Sequence, residues 1–520
     1  IQLALGTWDA YWRHSPLGWG VTGVLVGSVI TCAGFVRRRA ATSPALASSA
    51  PTARRVWVLG PALALMVMML ANAGFASAQS DARPAVAGPI AAVGLLLAGA
   101  IASLATGDEA RASRWSRKAM SVLAIGLAAT VAGVLWVDGP AVLVLLVLAQ
   151  VGVVAVLARA LQPAMGSELE ASPSVARLAG RASLVGLGTI LPLLLFQLDY
   201  DMPLGVPNEL VMVAAAVLPS AAVLRRPGIG VLVDSSAGRG RGRQIPSRPI
   251  LGLLAVAGTV VLTGTAVAVA RTLGTEPVAG PPPAGPVTLV SWNLHFGVDP
   301  NGDVNLDQIA RSIEEQDPAV LTLQEVSRGW VMAGGTDMAT WLAQRLGMRV
   351  VFAPAADRRF GNAILTNLEL ENVTRLALPY GEGPQNRSAI SGDVVVAGGP
   401  VRVTSTHLQN KDTTPTRLEQ LDTLLRAEGD APHLIISGDF NSEPGSPEID
   451  RMTGAGLASA QDVAGDPSEM TTSSTDPHKR IIWAFGRGVS FADVSVLDEA
   501  RSSDHFPLVM TLRPTTDQGS

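Results

Sequence analysis

Up to about Arg271 the chain is a series of apolar blocks rich in Ala, Val, Leu and Gly, separated by short polar connections. The blocks fall at about 18–36, 56–78, 85–106, 119–137, 141–161, 183–199, 207–224 and 250–270. Each is roughly 17 to 23 residues, close to what a helix needs to cross a ~30 Å hydrocarbon core. Nearly uncharged all round, they have no polar face to show water, so the pattern predicts an all-α bundle of eight transmembrane helices over residues 1–271. Thr275–Pro286, TEPVAGPPPAGP, interrupts the pattern. Its Pro and Gly content predicts an extended, fairly stiff linker over 272–286.

Beyond the linker the hydrophobic period changes. Alternating and β-branched runs at Val287–Trp292, Ala319–Gln324, Arg349–Ala353, Ala363–Thr366, Val401–Thr406, His433–Ser437, Ile481–Phe485 and Leu508–Leu512 predict strands. Helical patterns fall at Asn305–Glu315, Ala339–Leu346, Pro415–Ala427 and Pro447–Thr453. Interleaved elements of this kind predict a layered α/β domain over 287–513, with 514–520 as a tail.

Composition agrees with two unlike halves. Of the 520 residues only 16% are charged and 48% are hydrophobic, too apolar on average for an ordinary soluble protein. From Val287 onward there are about 18 Lys and Arg against 31 Asp and Glu, near −13, which leaves the remainder near +9. An acidic domain lacks the basic footprint that displaces counterions from a nucleic-acid backbone, so DNA or RNA is disfavoured as its substrate. Basic residues cluster at Arg37–Arg39 with Arg54–Arg55, at Arg111, Arg114, Arg117 and Lys118, at Arg177 and Arg181, and from Arg225–Arg226 through Arg248. These are alternate loops, and short cytoplasmic loops retain Lys and Arg. The alternation predicts a multi-pass plasma-membrane protein whose segment after Arg271 lies on the extracytoplasmic side. Ile1 at the start points to a processed or truncated end, without the charged start and cleavage site of a signal peptide. The lone Cys32 excludes an intrachain disulfide and a cysteine metal cluster. Low aromatic content with Ala, Val, Arg and Gly enrichment fits a high-GC bacterium.

Five short motifs carry the candidate chemistry: WN at Trp292–Asn293, QE at Gln324–Glu325, THL at Thr406–Leu408, GDFN at Gly438–Asn441 and SDHFP at Ser503–Pro507. They supply Asn293, Glu325, His407, Asp439, Asn441, Asp504 and His505, most of them at predicted strand ends, where side chains of layered sheets converge on a cleft. Oxygen ligands without cysteine suit a hard ion, Mg²⁺ or Mn²⁺. Such a set is fitted to splitting a phosphate ester. His295 and His433 stand outside the motifs and read as structural, and Trp330, Met332 and Trp341 as packing or a rim near lipid.

In this order, and joined by GNAIL at Gly361–Leu365, the motifs make Val287–Arg513 resemble the endonuclease/exonuclease/phosphatase family, whose fold is the four-layer sandwich of deoxyribonuclease I type. The resemblance implies that Glu325 is the principal metal carboxylate with Asn293 beside it, and that Asp504 belongs to the metal or water shell. It further implies that Asp439 orients or deprotonates water and Asn441 holds a phosphate oxygen, while His505 contacts the phosphate or acts as a base and His407 stabilises the developing charge or assists the leaving group. Asn362 and Arg387 are expected to line the cleft, Arg387 as a phosphate contact. One departure stands out. Relatives carry RIDYI or a similar segment whose Asp pairs with the histidine of SDH, whereas Arg480–Ala484 reads RIIWA and puts Ile482 at that place. Asp476 and His478 are the nearby candidates to substitute.

The combined expectation is a membrane-anchored, Mg²⁺-dependent hydrolase meeting a phospholipid, glycolipid or polyprenyl-phosphate substrate. Multi-span proteins implicated in remodelling glycosylphosphatidylinositol lipids have a similar plan. Two alternatives stay open: an extracytoplasmic nuclease, and a catalytically weak binding or sensor module. No protein partner is inferable.

Overall fold

The computed structural model describes residues 53–106, 117–161, 175–224 and 277–515, isolated positions apart, with scattered residues between 19 and 34. The chain divides into two compact units, Ile1–Ala270 and Arg271–Ser520.

In the N-terminal unit a 3-10 turn (Ala53–Val58) runs into α1 (Leu59–Leu65) and a π turn (Met66–Leu70), and the chain then bends by 55° into α2 (Ala73–Ser80). α3 (Pro84–Thr106), α4 (Arg117–Trp136), α5 (Ala141–Leu161), α6 (Val175–Leu198) and α7 (Glu209–Leu224) follow. Four of these, α3 to α6, are long and apolar enough to cross a membrane, or five spans if the bent pair counts as one. The expected eight spans are therefore not supported. The span expected at 250–270 lies outside the described residues, as does 18–36 apart from scattered positions. At 207–224 the helix has only 16 residues, about 24 Å at 1.5 Å per residue and short of the hydrocarbon core.

The bend has a local cause. Asn72 accepts the Phe75 N–H on its side-chain oxygen and so starts a new helix. Gln150, fully buried on α5, donates to the Leu70 carbonyl (2.7 Å) at the break and to the Ala91 carbonyl (2.8 Å). An apolar interior tolerates a broken helix when side chains take up the freed backbone groups in this way. Outward, Val122, Ile125, Leu184 and Leu187 are all more than half exposed, an apolar surface of the kind lipid covers.

The C-terminal unit runs, in chain order, through β1 (Val287–Asn293), α8 (Leu306–Glu314), β2 (Val320–Ser327), α9 (Met338–Leu346), β3 (Arg349–Pro354), β4 (Phe360–Thr366), β5 (Leu370–Leu378), β6 (Arg387–Val396) and β7 (Gly399–His407). It continues through α10 (Thr414–Glu428), β8 (Leu434–Asp439), α11 (Pro447–Gly454), β9 (Ala458–Ser459), α12 (Ala460–Ala464), β10 (Ile482–Arg487), β11 (Val489–Val496) and β12 (Leu508–Pro514). Two six-stranded sheets form, in the orders β11-β12-β1-β2-β4-β3 and β5-β6-β7-β8-β10-β9. Each is antiparallel except for one central parallel pair, β1 with β2 and β7 with β8.

Leu289, Val320, Ile364 and Met510 of the first sheet meet Ile390, Val403, Ile435 and Ile482 of the second in the layer between them. Ile309 and Ile313 of α8 and Leu342 of α9 cover the outer face of the first sheet, and Leu421 and Leu424 of α10 with Met452 of α11 cover that of the second. The result is helix on sheet on sheet on helix. All eight expected strands and four expected helices are present, within one to three residues at their ends. Gly280, in the expected linker, donates its N–H to the Asn367 carbonyl (2.8 Å) and so packs on this unit.

Arg417 on α10 ties the loop after β7 to α11. Its Nε donates to Glu448 Oε1 at 2.7 Å, and a terminal nitrogen donates to the carbonyls of Gln409 and Lys411. Glu448 is fully buried, so removing its partner strands a charge. Arg417→Met is expected to cost about 3–5 kcal/mol, seen as a lower urea midpoint of the C-terminal unit; an unchanged midpoint would contradict this account.

Candidate active site

Both parallel pairs end at the same edge of the sandwich. Asn293 ends β1 opposite Gln324, and His407 ends β7 opposite Asp439 of β8. Glu325 follows Gln324 inside a register shift between β2 and β4, with φ +52°. A bulge of this kind re-aims one side chain, here the carboxylate. Gly438 precedes Asp439 at φ +147°, and a Cβ there would lie 1.9 Å from the Thr406 carbonyl oxygen, so only glycine lets β8 approach β7 at this point. Asn441, two residues on, is also left-handed (φ +49°), as are His295 and Phe296 (both +43°). Non-glycine residues held in this region cluster at functional sites.

The SDHFP segment is fastened beside these ends. Trp292 Nε1 donates to the His505 carbonyl (2.8 Å). Ser503 donates to the Asn293 carbonyl (2.7 Å) and accepts the His505 N–H (3.2 Å). His505 Nε2 then lies 3.6 Å from Asp439 Oδ2 and 3.8 Å from Asp504 Oδ1.

At the centre the Asn293 amide donates to Glu325 Oε1 (3.2 Å) and Asp439 Oδ2 (2.9 Å), while its oxygen accepts the His295 N–H (3.0 Å). Asp439 Oδ1 accepts the Asn441 N–H at 2.9 Å. His407 Nδ1 stands 3.1 Å from an Arg387 terminal nitrogen and 3.9 Å from Glu325 Oε1, and its Nε2 is 3.7 Å from Asp439 Oδ2. A guanidinium only donates, so Nδ1 accepts and the ring proton sits on Nε2. Asn441 Nδ2 stands 3.1 Å from that same Nε2 and donates to the Leu408 carbonyl (3.2 Å), which fixes the amide beside the ring.

Burial, with the charges of Arg387 and His505 adding to it, holds the His407 imidazole well below its ordinary range and keeps it neutral. Burial pushes the Glu325 carboxyl up, with Asp504 adding and His295, His505 and Arg387 opposing. Glu325 and Asp504 keep some access to solvent, at 19% and 36% side-chain exposure, whereas Asn293, His407, Asp439 and His505 are buried.

Asn362 and Arg387 are buried in the same region. Asn362 donates to the carbonyl and hydroxyl of Ser388, next to Arg387 on β6, and so ties β4 to the other sheet. His295, read from sequence as structural, holds its Nδ1 3.0 Å from the Val298 carbonyl, and it also stands beside the site, 3.9 Å from Asp504 Oδ1. Only its place two residues after Asn293 could have suggested this. His433 is structural as expected, its Nδ1 2.6 Å from the Gly488 carbonyl. Trp330 stacks on Phe360 (centroids 4.4 Å apart) as packing, while Met332 is half exposed. Neither Asp476 nor His478 substitutes for the carboxylate that Ile482 replaces. Both are exposed, His478 turns to the Asp476 carbonyl, and His505 Nδ1 is buried with no hydrogen-bond partner among the described residues.

The donor set fits a divalent cation. Among the described residues Glu325 accepts a single side-chain hydrogen bond, from Asn293, and no cation pairs with it at bonding distance. No group of three His, Cys, Asp or Glu side chains forms a full ligand shell among the described residues. A hard ion held by one or two carboxylates and completed by water matches that composition.

Glu325 gives a stability test without divalent ions. Its folded-state pKa is raised, so between the ordinary carboxylate value and the raised one the folded protein keeps a proton that the unfolded chain releases, and stability falls as pH rises through that window. Glu325→Gln is therefore expected to raise the melting temperature at neutral pH, and added Mg²⁺ or Mn²⁺ is expected to stabilise the parent chain but not this variant. A variant that melts lower, or that is still stabilised by the ions, would contradict this assignment.

Residues 290–505 match the Endonuclease/Exonuclease/phosphatase family. The tyrosyl-DNA phosphodiesterase 2 of Xenopus laevis is 26% identical over 162 residues, an alignment that spans 30% of this chain and 40% of that relative's own length. A crystal structure of an endonuclease/exonuclease/phosphatase from Beutenbergia cavernae DSM 12333 is 24% identical, covering 44% of this chain and 72% of that one with a TM-score of 0.38. The human Nocturnin catalytic domain with bound sulfate is 20% identical over 44% of this chain and 94% of its own, at a TM-score of 0.36. With the strand order and the motif residues gathered at one sheet edge, residues 290–505 of this chain are a domain of the endonuclease/exonuclease/phosphatase family.

Proposed function

We propose that this chain is a membrane-anchored, Mg²⁺-dependent phosphoric-ester hydrolase, with its catalytic unit on the extracytoplasmic face and a lipid-linked phosphate as substrate. The observation that carries the hydrolase reading is the gathering of Glu325, Asp439, His407 and His505 around the Asn293 amide. The apolar helices support anchoring, and the alternation of basic loops supports the side. A site fixed beside a bilayer meets headgroups at high effective concentration, and the acidic balance of the domain favours them over nucleic acid.

Glu325 and Asp504, with Asn293 beside them, would hold Mg²⁺ or Mn²⁺, which offsets phosphate charge and acidifies bound water. Asp439, fixed by Asn293 and the Asn441 N–H, orients water for in-line attack on phosphorus and takes its proton. As the new P–O bond forms the ester P–O bond breaks. Asn441 and His505 donate to phosphate oxygens, and Nε2–H of neutral His407, set by Arg387, stabilises the charge that develops. Arg387 adds positive charge at the cleft floor, and Asn362 keeps the segment of β6 that carries it in place.

A second reading, as a nuclease, has in its favour the relative named for a tyrosyl-DNA phosphodiester. The purified chain with Mg²⁺ is expected to release phosphate or headgroup from phosphatidylglycerol, glycolipid or polyprenyl-phosphate micelles and to leave plasmid intact. Plasmid nicking without lipid turnover would sink the lipid reading. Asp439→Asn is expected to lower turnover by on the order of 10²–10³-fold; retained biological activity in that variant would favour a binding module.

Ile482 lies directly opposite Asp439 in the β8 and β10 register. If the bare Nδ1 of His505 limits the rate, Ile482→Asp raises kcat several-fold at some cost in stability. An unchanged kcat in a folded variant would show that the missing carboxylate is not limiting.

A further inference from the structure

We propose that the N-terminal helical unit has its own anion site, a pocket between Arg55 and the end of α7 that takes the phosphate of an anionic lipid headgroup. The pocket has a volume of about 260 Å³ and is lined by Arg55, Trp57, Leu218, Ala221 and Ala222. The inference rests on the reading of this unit as membrane-embedded.

Three helix ends meet here. Arg55 lies in the turn that opens the bent pair and donates to the Ala222 carbonyl (3.1 Å) near the end of α7. Arg159 is in the last turn of α5, close enough for the Arg55 charge to act on it, and its buried Nε has no hydrogen-bond partner. Neither arginine pairs with a carboxylate among the described residues. The C-terminal carbonyls of α5 and α7 each supply roughly half a negative charge. Among the described residues, two guanidinium groups against these carbonyls leave roughly one positive charge at this end of the unit, with Arg55 itself lining the pocket.

The shape suits a headgroup. Arg55 supplies the N–H donors, Trp57 an interfacial aromatic ring, and Leu218, Ala221 and Ala222 an apolar wall for the glycerol and the first methylenes. About 260 Å³ admits a phosphodiester and its glycerol but not the acyl chains, which would lie along the apolar outer surface. The Arg55 contact with Ala222 and the nearness of Arg55 to Arg159 put the start of the bent pair and the ends of α5 and α7 at one end of this unit.

The test uses the full chain in neutral detergent. Phosphatidylglycerol is expected to raise the melting temperature by about 4 °C over phosphatidylcholine, and the double variant Arg55→Gln with Arg159→Gln loses that shift. Should the double variant fail to fold, Ala222→Trp, which fills the pocket at constant charge, must lose it. Equal protection by phosphatidylcholine or by millimolar inorganic phosphate overturns the assignment to an anionic lipid, as does a shift that survives in both variants. Failure of the membrane reading itself would appear separately, as recovery of the chain in the soluble fraction without detergent.

Discussion

The catalytic unit depends on one side-chain amide that joins two carboxylates from two different sheets. Asn293 closes the first sheet's parallel pair and donates both to Glu325, re-aimed by a bulge in that sheet, and to Asp439, at the end of the second sheet's parallel pair. Two anions in one buried cluster repel, so the geometry persists only because donors and positive charge surround them. Asn441, Arg387 and the two histidines meet that requirement. The backbone accommodates it with left-handed residues at Glu325 and Asn441 and a glycine at 438 that no other residue could replace without displacing β7.

The charge in the cluster explains its division of labour. His407 is buried beside a guanidinium and stays neutral, a hydrogen-bond donor rather than an acid. Glu325 is partly buried with no cation bonded to it, which suits it to a divalent ion. His505 Nδ1, like Asn362 Oδ1 and Gln324 Oε1, is buried without a hydrogen-bond partner among the described residues, and the apolar Ile482 packs in the layer between the sheets. A histidine without a partner on that nitrogen has neither its tautomer nor its orientation fixed by a carboxylate.

The helical unit obeys the opposite rule. Its outer surface is apolar, and its polar side chains turn inward to backbone groups, Gln150 to Leu70 and Ala91, and Gln79 to Leu135 and Val137. Those contacts hold a helix that Asn72 breaks, which is why an uninterrupted apolar run in sequence does not form one straight span.

The order of the motifs pointed to the family, and apolar and β-branched runs to eight of the strands, because such runs are local and survive in a linear reading; the central strands are buried on both faces. β5 and β6 were not legible in the same way. β5 is an edge strand with charges at Glu371 and Arg375, and β6 carries Gly392, Ser388 and Ser391, so neither shows a clean apolar period. Of the six expected spans that the described residues cover, four are long and apolar enough, or five if the bent pair is one, because composition registers apolar length but not the Asn72 break or the shortness of α7. The site residues could be named from their motifs. What only the tertiary structure decided was their company: His295 beside Asp504, Arg387 against His407, and, among the described residues, no hydrogen-bond partner on Nδ1 of His505. Each depends on strands distant in sequence meeting at one edge, and no local pattern records which side chains then face one another.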